Sequence, residues 1–277
     1  MKKRAAISLI VAVFIVCAVA ICVVSAQEPV QLPIIMYHSV VAGNKNLGDY
    51  VINVEQFEND IKCLKEAGFE SVTIEDLIKY TEGGELPENP IMITFDDGYY
   101  NNVNLCGPIL EKYQMRAVIS VVGIYTDNEE NCTGKRSNNY SYLTWEEIES
   151  AQESGIFEVQ NHSYNMHGGC GRMGAKKSTD EDVWQFKDEV AGDISRMQNL
   201  LRDNSGVNAT CFTYPYGSFD QYSKEVVKEC GFLSSMNCFE EINTITRDKD
   251  CLYGLGRYNR PSGLTTWQFF NKMGISL

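Results

Sequence analysis

Histidine is scarce in this chain: there are three in 277 residues, His38, His162 and His167, and two of them stand five residues apart. No two cysteines are spaced C-x-x-C, which argues against a cysteine-ligated zinc site. Basic charge is also short, with 24 Lys and Arg against 37 Asp and Glu, for a net of −13. Lys2, Lys3 and Arg4 are the only charged residues before Gln27, so the remainder of the chain carries −16. That balance excludes a nucleic-acid partner, which calls for a basic stripe, and disfavours an anionic polymer as substrate. A neutral or amino-sugar polymer fits better. No internal repeat or low-complexity tract is present. With 22% charged and 44% hydrophobic residues, the length suits one large α/β domain or two small ones.

The first 26 residues differ from the rest. Three basic residues precede an uncharged apolar stretch from Ala5 to Ala26, which closes on the small residues Ser25-Ala26. This is the pattern of a secretory signal, and the stretch is also long enough to stay as a membrane anchor with its basic end cytoplasmic. In both cases residues 27–277 form the exported catalytic part, secreted or anchored facing the cell exterior, and membrane contact is confined to an uncleaved N-terminal segment. Two of the ten cysteines, Cys17 and Cys22, lie in that stretch. An exported chain with the eight others could carry several disulfides, with some thiols left reduced and buried.

Strand-like and helix-like segments then alternate. Leu32–Val40, Phe69–Ile74, Pro90–Phe95, Ala117–Val122, Phe157–Gln160, Thr210–Tyr214, Phe232–Met236 and Leu252–Leu255 read as strands. Asn53 with Gln56 three residues on predicts a capped helix start, as does Thr144-Trp145-Glu146-Glu147, and Asp180–Leu201 reads as the longest helix. Asp127–Tyr142 and Gly168–Ser178 are polar and read as exposed loops. This alternation predicts an α/β chain folded as a distorted (β/α) barrel of seven to eight parallel strands, a single catalytic domain with its chemistry at the C-terminal strand ends.

Asp96, Asp97 and His162 all fall just past an expected strand end. Asp96-Asp97-Gly98 taken alone is common turn chemistry. Two imidazoles five residues apart after another strand change that, because two carboxylates and two imidazoles make a ligand set for one divalent metal. Three protein ligands with one open position is the pattern of a catalytic rather than a structural zinc site. Zinc is the first expectation; cobalt, manganese and nickel suit the same donors.

At these residues the sequence resembles the polysaccharide deacetylase (NodB-like) superfamily, carbohydrate esterase family 4. The resemblance is carried by Thr94-Phe95-Asp96-Asp97-Gly98, by His162-Ser163-x-x-x-His167 and by Tyr214-Pro215-Tyr216-Gly217. Met36-Tyr37-His38 looks like the subgroup that deacetylates poly-N-acetylglucosamine. The resemblance implies Asp96 as general base, Asp97, His162 and His167 as metal ligands, and the main-chain N–H of Tyr216 as an oxyanion donor. The division of labour is sound, since a carboxylate bound to a metal is a poor base. Two positions depart from the family. Thr213 stands where many members carry an arginine that orients the base, and Arg257 or Arg260 could replace it. No histidine follows His167, so the resemblance leaves His38 as the acid that protonates the leaving amine, a task for which imidazole is suited. Tyr99, Tyr140 and Trp145 could stack on sugar rings or simply pack.

The expected function is therefore metal-dependent removal of N-acetyl groups from an N-acetylated polysaccharide: peptidoglycan, poly-N-acetylglucosamine or a chitin-type polymer. An O-acetyl esterase on xylan-type polymers and a catalytically silent sugar-binding barrel are the alternatives.

Overall fold

All six residues of the Pro90–Phe95 strand are buried, the near-continuous apolar run of a parallel strand covered on both faces. Its one polar member, Thr94, donates its hydroxyl to the Ile35 carbonyl at 2.8 Å. In this computed structural model, which describes residues 29–168 and 172–275, that strand lies near the middle of a nine-stranded sheet. The apolar segment 5–26, expected as signal or anchor, falls outside the described residues. No helix among those described is long and apolar enough to cross a membrane.

The strands run side by side in the order Tyr253–Leu255, Ser234–Met236, Cys211–Thr213, Phe157–Asn161, Ala117–Val121, Pro90–Phe95, Ile34–Tyr37 and Tyr258–Asn259, and Glu70–Ser71 pairs with Pro90–Phe95. Every pairing is parallel. The two strands at the ends of this row are separated in the chain only by Gly256-Arg257. A single extended segment thus leaves one edge and joins the other, linking the two edges of the curled sheet. The bridge needs glycine: a Cβ on Gly256 would sit 2.5 Å from the Phe239 carbonyl oxygen and 2.4 Å from Glu241 Cγ. The described residues from Gln31 onward form one domain, the distorted barrel that the alternation predicts.

Helices cover the outside. Val54–Glu66 begins at Asn53 with the reciprocal Asn53–Gln56 cap, and Trp145–Glu153 begins at Thr144 with the same arrangement to Glu147. Val183–Ser205 is the longest helix among the described residues, and it buries Phe186, Val190, Ile194, Met197 and Leu201 at helical spacing.

Several segments differ from the sequence reading: the expected strand Leu32–Val40 is divided into Val30–Leu32, Ile34–Tyr37 and Ser39–Val41, and the short strands Val51–Asn53 and Asn243–Ile245 were not expected. The expected strand Phe69–Ile74 shrinks to Glu70–Ser71, because a cap between Thr73 and Asp76 starts a helix at Ile74. The expected loop Asp127–Tyr142 is helical at its start, within Gly123–Glu130. That helix lacks an apolar stripe, and its first turn is tied to another segment by Gly123 N–H to Ser163 O and Ile124 N–H to Tyr164 O. The strand Tyr258–Asn259 was not expected, being too short to leave a pattern. The seven described cysteines outside the N-terminal segment are free thiols, with Cys106 and Cys211 buried, so no disulfide forms among them.

Candidate active site

Because the sheet is parallel, the residues that follow its strands gather at one end. His38 follows Tyr37, Asp96 and Asp97 follow Phe95, His162 follows Asn161, Tyr216 lies three residues past Thr213, and Arg257 two past Leu255. Together with Met36, Tyr50, Tyr99, Tyr125, His167, Cys238 and Asn259, all of these except Arg257 line one cavity of about 540 Å³. The strand-to-loop turns are tight. Asp97, Ser163 and Tyr216 take positive φ without being glycine, an accumulation of strained backbone typical of functional sites, and Gly98 and Gly217 supply the same conformation freely.

Asp97, His162 and His167 each offer a donor atom within 4.8 Å of the others. Asp97 Oδ1 is 3.8 Å from His162 Nε2 and 3.6 Å from His167 Nε2. A tetrahedral ion with bonds of about 2.0 Å keeps its donors about 3.3 Å apart, so each Asp97–imidazole pair would need to tighten by about 0.5 Å or less. His162 Nδ1 lies 2.8 Å from the Thr213 carbonyl, which fixes that nitrogen as the N–H and leaves the Nε2 lone pair facing Asp97. His167 has no such support among the described residues, where its Nδ1 is buried without a partner. Burial and then the Asp96 charge push Asp97 up to about 7, so two adjacent carboxylates strain to ionise together. One guanidinium serves both, and a bound cation would supply the missing positive charge. The donor set and the charge balance both fit a divalent ion.

Asp96 is held from the far side. Arg257, fully buried, meets it with two parallel bonds, Nη1 to Oδ1 at 2.7 Å and Nη2 to Oδ2 at 2.8 Å. Burial alone would favour the neutral acid, but Arg257 outweighs it and keeps Asp96 ionised well below the usual carboxylate range. The guanidinium is itself positioned by Nε to the Asn237 carbonyl at 2.9 Å and Nη1 to Thr94 Oγ1 at 3.2 Å. Of the two arginines the sequence left open, Arg257 reaches the base candidate. Arg260 instead pairs with buried Asp60. Thr213 gives its side chain to Ser120 Oγ at 2.7 Å.

His38 sits on the cavity wall with its ring edge-on to Tyr50, centroids 4.7 Å apart. Asn102 donates to its carbonyl at 2.6 Å, and its Nδ1 is buried without a partner. Burial, the largest influence, lowers its pKa to about 4. Tyr216 exposes its ring, and its phenol donates to the His167 carbonyl at 2.8 Å. Ser163 acts locally, its Oγ accepting from the Met166 N–H at 3.1 Å.

Of the three aromatic residues considered for sugar stacking, Tyr99 lines the cavity. Trp145 is buried with Nε1 bonded to Asp127, a packing role, and Tyr140 is exposed and bonded to Asn46. The cavity residues Tyr50, Tyr125 and Cys238 were not singled out from sequence. Tyr125 and Cys238 follow strands closely and were accessible to the strand-end rule. Tyr50 comes from an irregular segment with no signal.

A family model described as polysaccharide deacetylase matches residues 83–234, more than half of the chain. The match takes in Asp96 through Tyr216 and leaves His38 and Arg257 in the flanks. A poly-β-1,6-N-acetyl-D-glucosamine N-deacetylase of Staphylococcus epidermidis is 24% identical over 219 residues, covering 79% of this chain and 71% of that protein. Among solved structures, a de-N-acetylase from Aggregatibacter actinomycetemcomitans superposes with a TM-score of 0.74 at 22% identity, covering 88% of this chain and all of the other. IcaB from Ammonifex degensii gives 0.69 at 22% identity, covering 90% and 99%. At that identity the two structures bear on the fold.

Proposed function

Since the chain belongs to the polysaccharide deacetylase family, we propose that it hydrolyses N-acetyl groups of an extracellular N-acetylglucosamine polymer, with poly-β-1,6-N-acetylglucosamine the first candidate. One observation carries the reading: Asp97, His162 and His167 converge within 4.8 Å while Asp96, beside them, is engaged by Arg257. A divalent ion held by those three residues would polarise the acetyl carbonyl and make water more acidic. Asp96 is the base that takes a proton from the attacking water. Its Arg257 partner holds both oxygens in one plane, so the lone pair that receives the proton has a set direction. The Tyr216 main-chain N–H donates to the developing oxyanion. His38 delivers a proton to the departing amine nitrogen. Burial keeps His38 neutral at rest, so it takes up the proton it delivers from solvent as negative charge develops in the cavity, and Asp96 releases the proton taken from the attacking water to solvent when acetate leaves. The net charge of −16 outside the first 26 residues agrees with a neutral or partly cationic polymer. Export through the N-terminal segment, as a signal or an anchor, would bring the enzyme to such a polymer.

The test is acetate release from N-acetylglucosamine oligomers and from acetylated xylan, with chelator and with added zinc. Release from the amino-sugar oligomers that stops with chelator and returns with zinc is expected. Asp96→Asn should abolish it with zinc still bound. Release from xylan alone, or an Asp96→Asn protein with parental turnover, would overturn the reading.

A further inference from the structure

His162 and His167 are held by different means. The His162 ring is oriented through Nδ1 on the Thr213 carbonyl, whereas among the described residues nothing polar meets His167 Nδ1. Around His167 the neighbours are aromatic: the Tyr216 centroid lies 5.5 Å from the imidazole and the Tyr125 centroid 5.8 Å. Tyr216 also reaches the main chain of the same residue, its phenol donating to the His167 carbonyl at 2.8 Å. The backbone of Tyr216 is unusual, a non-glycine residue at φ 58 and ψ 11. That left-handed conformation is strained for a residue that carries a Cβ. With 55% of the residue exposed, burial of the ring does not offset the strain. The two loops meet again beside it, where Ala175 N–H donates to Ser218 O at 3.0 Å and a Cβ on Gly174 would lie 2.7 Å from Ser218 Cβ.

We propose that the Tyr216 side chain is a positioning group that ties His167 to the turn carrying the Tyr216 N–H, so that one link sets both a cation ligand and the oxyanion donor. Resting on the functional reading above, this gives the phenol a task separate from that of the main chain. It also explains how His167 keeps its place without a hydrogen bond on Nδ1. The link makes the coupling reciprocal. A divalent cation that pulls His167 inward pulls the Tyr216 turn with it, and loosening the turn weakens the hold on the cation.

Tyr216→Phe keeps the ring against the imidazole and removes only the O–H. The measurement is zinc affinity of metal-stripped protein by competition with a chromophoric chelator. Supporting groups of this kind typically contribute about 10–100-fold to metal affinity, and a loss near the lower end is expected. The thermal midpoint in chelator should match the parent, because the phenol is exposed. In a His167→Gln background, where the ligand is already lost, Tyr216→Phe should cause no further loss. Equal zinc affinity for Tyr216→Phe and parent overturns this inference and leaves the deacetylase reading standing. A loss that persists in the His167→Gln background also overturns it, since Tyr216 would then act elsewhere. A parent protein that does not bind zinc overturns both.

Discussion

Arg257→Met removes the partner of a buried carboxylate without removing much volume. The Arg257 side chain is fully buried and that of Asp96 is 3% exposed, so solvent screens the pair little. Unit charges about 4 Å apart at an effective dielectric of about 20 attract by about 4 kcal/mol. Deleting one member of a buried pair typically costs about 3–5 kcal/mol, because the other is left charged and unpaired. The two figures agree, and urea unfolding at pH 7 should show a loss of that size with an unchanged slope. Asp96→Asn in the same background removes the stranded charge, so the double variant should recover part of the loss. Acetate release by Arg257→Met should fall by about 100-fold, the size of effect expected when a reacting group is misplaced by about 1 Å. A single variant as stable as the parent, or a double variant no more stable than the single, would refute the view that the arginine exists to hold a charged Asp96.

Two further outcomes are expected. His38→Ala should lower kcat by about 100-fold or more, in the usual range for a lost general acid, while zinc binding is unchanged; full turnover would remove His38 from the mechanism. Glu158, on the Phe157–Asn161 strand and remote from the cavity, has its pKa raised first by burial. A carboxyl with a raised folded-state pKa stays protonated after the unfolded chain has ionised, so it reduces stability as pH rises above about 4. Glu158→Gln should therefore be more stable than the parent at pH 7 and equal to it near pH 4 by thermal unfolding, with acetate release unaltered; a lower midpoint at pH 7 would contradict this.

The capping pairs Asn53–Gln56 and Thr144–Glu147 were legible because a cap is an interaction within four residues, complete in the local sequence. Pro90–Phe95 was legible because a strand buried on both faces must be apolar throughout. The helix Gly123–Glu130 was not, because it has no apolar stripe and its first turn rests on hydrogen bonds to Ser163 and Tyr164. The bridge at Gly256-Arg257 was equally hidden. Strands of two or three residues carry no period, and the glycine is required only by Phe239 and Glu241, which meet it in space.

The sequence by itself determined the strand–helix alternation and which side chains stand just beyond strand ends. Parallel strands must deliver those residues to one end of the sheet, so Asp96, Asp97 and His162 could be grouped before any coordinates. It left Arg257 and Arg260 equivalent, three residues apart and alike in local context. Only the tertiary structure separated them. The segment that joins the two sheet edges turns Arg257 inward to Asp96, while Arg260, one turn of chain later, meets Asp60 from the Val54–Glu66 helix. Partner choice for a long cation depends on which buried anion lies within its reach, and that is a property of the curled sheet as a whole rather than of neighbouring residues.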